Sequence, residues 1–199
     1  MAAKHLNKIF LSASIPSIDR DDKFYKTADI IAIRDAVRAL AAVIIPNAHL
    51  VWGGHPSITP LIRNVVAKMS SNLQQHVTIY QSLFFERYFP PDNFDFENII
   101  TTKAVVDDQP SSLLRMRNEM IGNNQFKAAI FIGGMEGIFQ EYDMFISYHP
   151  HALILPVAST GAAAKILYDN NPESYNQRLS NDFAYMALFR DLLTEYINQ

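Results

Sequence analysis

The chain has 199 residues, 49% of them hydrophobic and 19% charged, with a formal net charge of −3 and no cysteine. A chain this long buries about 70% of its unfolded surface and needs no staple, and the missing cysteines exclude disulfides, thiolate catalysis and zinc sites built on Cys, as suits a reducing cytoplasm. The acidic balance argues against a nucleic-acid polymer as partner, because phosphate-backbone binders carry a basic face; a small anion held by a few local donors stays compatible.

The opening MAAKHLNKIFLSAS has only a short apolar patch after Lys8, too short for a signal peptide or a membrane span. No membrane partner and a cytoplasmic location are therefore expected. Residues 9–14 read as a strand ending in small hydroxyl residues, and Ser12 and Ser14 are candidates to hydrogen-bond a ribose or phosphate. Pro16 stops that strand, and the polar stretch 17–26 reads as a connection on a ligand rim. Across residues 27–45, Ile30, Ile33, Val37, Leu40, Ala41 and Ile44 recur at spacings of three and four, which predicts a long helix with one apolar face. Residues 49–52 form a second predicted strand, followed by Gly53-Gly54 and a helical stripe from Ile58 to Met69. Ser57 or Thr59 is expected to cap this helix, placing a hydroxyl among unpaired amides where an oxyanion docks. A capped helix without any ligand explains the same residues.

Residues 76–82 read as a third strand. Over 83–107 the pattern loosens, with six aromatics between Phe84 and Phe96 and a Pro-Pro pair, so an irregular segment that covers the site or meets a partner is expected. Its aromatics stack on a base in one reading and fill the core in the other. A short edge strand is placed within 99–106. Residues 111–122 read as a hydroxyl-capped helix, carrying Leu113, Leu114, Arg117, Met120 and Ile121 and stopping at Gly122.

The stretch around which the chain is organised comes next. Residues 128–132 (AAIFI) are apolar throughout, as in a strand buried on both faces of a parallel sheet. Gly133 and Gly134 follow, then Met135, Glu136 and Gly137, after which Ile138, Phe139, Tyr142 and Phe145 recur at helical spacing. Strand, glycine turn and helix N-terminus together suit a phosphate; a bare tight turn is the competing reading. Residues 152–157, Ser159-Thr160-Gly161 and the helix 162–169 repeat the arrangement a third time, with hydroxyls as candidate binders. A loop spans 170–176, and Phe183, Ala184, Ala187, Leu188, Leu192 and Ile197 mark a closing helix on which Tyr185 and Met186 leave apolar surface for a dimer contact. The alternation predicts an α/β fold: one domain over residues 1–199, a Rossmann-like parallel sheet with helices on both faces and its ligand outside the carboxyl ends of the strands.

The segment LLRMRNEMIGNNQFKAAIFIGGMEGIFQEY resembles the signature of the Lonely Guy-type phosphoribohydrolases, long misnamed lysine decarboxylases. There an Arg-bearing helix precedes a strand ending in Pro-Gly-Gly-x-Gly-Thr-x-x-Glu. Arg117 stands sixteen residues before Gly133, where that family's active-site Arg falls, and Glu141 matches the motif's Glu if the turn holds one inserted residue. VWGGHPSITPLI is similar to the family's earlier phosphate-binding glycine motif. Ile132 and Ile138 replace the motif's Pro and phosphate-contacting Thr, and HPSIT replaces a longer glycine run. With PVASTGAAAKIL, these features look closer to the wider SLOG superfamily, named for the Smf/DprA and Lonely Guy proteins, and to a bacterial cluster met beside TIR and other defence modules.

The resemblance implies a nucleotide-binding Rossmann-like fold, a nucleotide-derived ligand such as an ADP-ribose derivative, a homodimer and a separately encoded effector; no cofactor is implied. If the pair is catalytic, Glu141 stabilises the oxocarbenium-like state of N-glycosidic cleavage and Arg117 orients it or holds the phosphate. Glu136 is a second carboxylate able to take that part. Three functions compete: a ligand sensor, an N-glycosidic hydrolase and a ligand-free interaction subunit. His149 and His151 have HxH spacing without a third ligand, so no metal is expected, and no GxSxG elbow supports a serine nucleophile.

Overall fold

The computed structural model describes residues 6–20, 22–69 and 71–197. Residues 1–5, from which part of the reading of the amino terminus was drawn, lie outside the described residues, as does Asp21 of the predicted polar connection. Six strands form one sheet: β1 (Lys8–Ser14), β2 (His49–Trp52), β3 (Val77–Ser82), β4 (Ile99–Thr102), β5 (Phe126–Gly133) and β6 (Leu153–Val157). The order is β4-β3-β2-β1-β5-β6 and every neighbouring pair is parallel. The chain winds outward from β1 to β4, then returns to the other side of β1 as β5. That reversal opens a crevice at the carboxyl ends of β1 and β5, where doubly wound sheets place their ligands.

The helices are α1 (Asp22–Thr27), α2 (Ile30–Ile44), α3 (Thr59–Val66), α4 (Gln109–Arg117), α5 (Gly137–Tyr148), α6 (Ala162–Asn170), α7 (Arg178–Asn181) and α8 (Tyr185–Ile197). Because side chains alternate along a strand, the sheet feeds two cores. Ile9, Leu11, Ile130 and Ile132 pack with α2, α3 and α8, whereas Phe10, Ala129 and Phe131 pack with α4, α5 and α6. On the second face Phe10 stacks on Phe145 of α5 at 5.6 Å between ring centroids and meets Phe126 at 5.5 Å. This aromatic packing seats α5, and with it the turn that precedes it.

Several elements differ from the sequence reading. Within the polar connection lies α1, which buries Phe24 to 1% exposure; six residues give too few turns for a periodic signal. Helix α3 begins after Ile58, with no side-chain cap, so neither Ser57 nor Thr59 caps it. Helix α4 is capped by Asp108, not by a serine hydroxyl: the Ser111 amide donates to Asp108 Oδ1 at 2.9 Å, and the hydrogen bonds from Ser111 hold that carboxyl below its usual range. The last turn before Gly122 widens into a π-turn, Asn118–Gly122. Segment 83–97 contains two 3-10 turns, Leu83–Tyr88 and Pro91–Asp95. Tyr185 is only 4% exposed, which removes it from the expected dimer surface, while Met186 stays 38% exposed.

Candidate functional site

A cavity of about 650 Å³ lies over the carboxyl ends of β1, β2 and β3 and the turn that follows β5. Its volume falls within the range of small-molecule sites. Residues at strand ends line it: Ser12 and Ser14, Trp52 and Gly53, Gln81 and Ser82. Helix α4 closes one side and the start of α5 another.

Helix α4 ends at Arg117, and α5 carries Glu141, one turn in from Gly137, toward it. Arg117 Nε donates to Glu141 Oε1 at 3.1 Å, and the two side chains are 11% and 16% exposed. Ser12 Oγ donates to the other carboxylate oxygen at 2.5 Å, and Arg117 Nη1 donates to Gln140 Oε1 at 2.6 Å. Both oxygens of Glu141 therefore have a donor, which fixes the orientation of a partly buried carboxylate. Gly137 makes room for this: a Cβ there would lie 2.8 Å from Arg117 Nη2.

The glycine turn supplies its donors later than the sequence suggests. Gly133 N donates to Thr160 Oγ1 at 2.9 Å and Gly134 N to the Ser14 carbonyl at 2.8 Å, so neither amide is available to a ligand. Both residues have positive φ, 59° and 82°, which favours glycine, and both lie behind the cavity wall. The amides of Met135, Glu136 and Gly137 make no hydrogen bond among the described residues, and these three residues line the cavity. They are the unpaired donors expected ahead of a helix.

The β2 turn is held by Gln81, whose Nε2 donates to the carbonyls of Gly53 at 3.1 Å and Gly54 at 2.9 Å. Ser57 Oγ accepts from Ile15 N at 3.0 Å, tying this turn to the end of β1, and buried Thr59 accepts from Trp52 Nε1 at 3.3 Å. Neither residue lines the cavity.

Arg20 of the polar stretch read as a ligand rim does line the cavity, and His55, which the sequence reading did not single out, joins it. The Ser57 amide donates to His55 Nδ1 at 3.2 Å, which puts the proton of the neutral ring on Nε2. Burial, and after it the positive charge of Arg20, lowers the His55 pKa to about 4. His55 is thus a neutral donor at pH 7. The available signal for His55 was a His-Pro-Ser sequence directly after a glycine pair. Ser14 Oγ, also on the wall, makes no hydrogen bond among the described residues.

The third turn does not join the cavity. Ser159 Oγ pairs with Tyr185 Oη at 3.0 Å, Thr160 Oγ1 donates to the Val157 carbonyl at 2.5 Å, and Gly161 faces the Thr27 carbonyl. The structure brings together Ser12, Gly53, Gly54, Arg117, Met135, Glu136, Gly137 and Glu141, and leaves Ser57, Thr59, Ser159, Thr160 and Gly161 in the packing around them. The expected convergence of three turns is corrected to two, because the hydroxyls of the third are spent on its own backbone, on Gly133 and on α8. His149 Nε2 donates to the Ile121 carbonyl, and among the described residues no group of three or more His, Cys, Asp or Glu is placed to hold a metal ion. Among them, too, no helix is long and apolar enough to cross a membrane.

Among solved structures, the X-ray structure of TM1055, a structural genomics target, matches with a TM-score of 0.58 over 94% of this chain and 99% of that one. Sequence identity is 11%, so the likeness shows the fold alone. Comparison with curated proteins gives no match. The model of the SLOG cluster3 family matches residues 23–193, a span that includes α1 to α8 up to Leu193, both cavity-lining glycine turns and the Arg117–Glu141 pair. The chain therefore belongs to the SLOG cluster3 family.

Proposed function

We propose that this chain binds a nucleotide or nucleotide-derived ligand, such as an ADP-ribose derivative, in the cavity at the carboxyl ends of the sheet, and acts as a sensor of it. One observation carries the reading: a single cavity at the reversal of strand order receives Arg117, the His55 Nε2–H, the Ser14 hydroxyl and the unpaired amides of residues 135–137. Family membership supports nucleotide-related binding or phosphoribohydrolase-like chemistry. A phosphate docks against the amides ahead of α5, where the helix dipole favours an anion, and Arg20 at the rim adds positive charge. Ser14 and His55 are placed to take ribose or phosphate oxygens. No cofactor enters the reading, and occupancy would be passed to a separately encoded effector.

A second reading, hydrolysis of the N-glycosidic bond, is favoured by the clamp on Glu141. A carboxylate held in place by Arg117 and Ser12 stabilises positive charge on the sugar as the base departs. Ile138 stands where the resembled motif carries a phosphate-contacting Thr, which favours sensing over turnover. Incubation with nucleoside monophosphates and with ADP-ribose separates the two. At a hundredfold excess over its dissociation constant a ligand stabilises by about 2.7 kcal/mol, a rise of roughly 5–10 °C in melting temperature for a chain of this size. A saturable rise with intact ligand supports the sensor, free base at catalytic turnover moves the function to the hydrolase, and no rise with any of these compounds removes both.

A further inference from the structure

We infer that the end of the cavity above β3 is a subsite for a planar heteroaromatic base, an inference that rests on the nucleotide reading. The two ends of the cavity differ in chemistry. Arg117, Glu141 and Ser12 meet over β1 and β5. The wall over β3 is formed instead by Phe85 and Tyr88 of the 3-10 turn Leu83–Tyr88, which starts directly at the end of the strand, and by Phe89 and Pro90 just after it. Only β2 separates β1 from β3, so at about 4.8 Å per strand the aromatic wall starts about 10 Å from the Ser12–Glu141 contact.

Helix α4 spans the same interval. Gln109, Leu113, Met116 and Arg117 share one helical face and all line the cavity, and at about 1.5 Å per residue Gln109 lies about 12 Å along the axis from Arg117. A sugar phosphate at the Arg117 end has its base at the other.

The aromatic end suits a ring and not a second phosphate. Among the described residues that line it from Ser82 to Leu113, none is charged. Tyr88 is 77% exposed; a large ring left in water is apolar surface that a stacked base would cover. Phe84 meets Phe85 edge-on at 5.1 Å, which sets the plane of the Phe85 ring. The Gln109 amide, without a hydrogen bond among the described residues, presents both a donor and an acceptor to the edge of a base.

The test compares AMP with ribose 5-phosphate on the full chain, by calorimetry or by quenching of Trp52, the one tryptophan of the sequence and part of the cavity wall. The unaltered chain is expected to hold AMP roughly tenfold tighter than ribose 5-phosphate, the scale of one base–aromatic stack. Tyr88→Ala or Phe85→Ala removes that advantage and leaves ribose 5-phosphate binding in place, whereas Tyr88→Phe retains it. Tyr88 is exposed, so its variants do not put folding at stake. Equal affinity for the two compounds in the unaltered chain, or a full AMP advantage in both alanine variants, overturns the subsite and leaves the phosphate reading standing. If neither compound binds, the reading beneath it falls and the subsite with it.

Discussion

Glu141 takes one hydrogen bond from a guanidinium and one from a hydroxyl, and the two donors have different consequences when lost. Without Ser12 Oγ one carboxyl oxygen is left short of a donor; without Arg117 the acid loses its partner cation at 16% exposure. Removing one partner of such a pair costs more than the pair contributes. Arg117→Ala is therefore expected to destabilise by about 2 kcal/mol, a deduction from fully buried pairs discounted for partial exposure, while Arg117→Ala/Glu141→Ala recovers part of the loss. Urea unfolding of both variants checks this, and a double variant no more stable than the single would show the residues to be uncoupled. At this scale the sequence was legible where spacing carried information: Arg117, Gly137 and Glu141 stand in one register. His55 was not legible, because a single side chain in a loop has no period, and only folding reveals that the cavity lies beneath it.

Among the elements, the turn Ser159-Thr160-Gly161 teaches the most. It has the residues of a ligand loop and serves as a joint. Thr160 accepts from Gly133, the Thr160 carbonyl accepts from the amide of Asp29, the cap of α2, and Gly161 closes on Thr27. Gly161 has φ 71° and ψ −158°, a region essentially confined to glycine, and a Cβ there would lie 1.9 Å from the Thr27 carbonyl oxygen. Gly161→Ala is expected to cost about 3 kcal/mol and to lower the melting temperature by roughly 6–12 °C; a loss under 2 °C in a thermal melt would contradict the joint. The hydroxyls of Ser57 and Thr59 follow the same pattern. They look like caps in one dimension, yet Ile58 stands at the cap position of α3 and both oxygens accept from partners at the end of β1 and in β2. Local chemistry names a polar residue near a helix start, and packing chooses its partner.

For the whole molecule, two half-buried histidines link stability to pH. Burial, then the charges of Lys8 and His76, lowers the His49 pKa from its ordinary 6.5 to about 4, and His55 is lowered to about 4 by burial and Arg20. Between these values the unfolded chain binds more protons than the folded one, so stability rises with pH there. It is complete above pH 6.5, falls as pH drops from 6.5 toward 4, and levels off below. Asp108 and Asp182, held below their usual range by hydrogen bonds, lose their contribution only at lower pH. Urea unfolding from pH 7.5 to 4.5 should show this slope, and His49→Gln/His55→Gln should flatten it; an unchanged slope in the double variant would refute the assignment. By itself the sequence determined the alternation of strands and helices and the parallel sheet, because apolar periodicity and glycine punctuation are properties of neighbouring residues. Which turns meet over one cavity, which amides stay unpaired and which hydroxyls are consumed was decided only by the tertiary structure. Those outcomes depend on strand order and on contacts between residues more than a hundred positions apart, such as Ser12 and Glu141, and no local pattern encodes them.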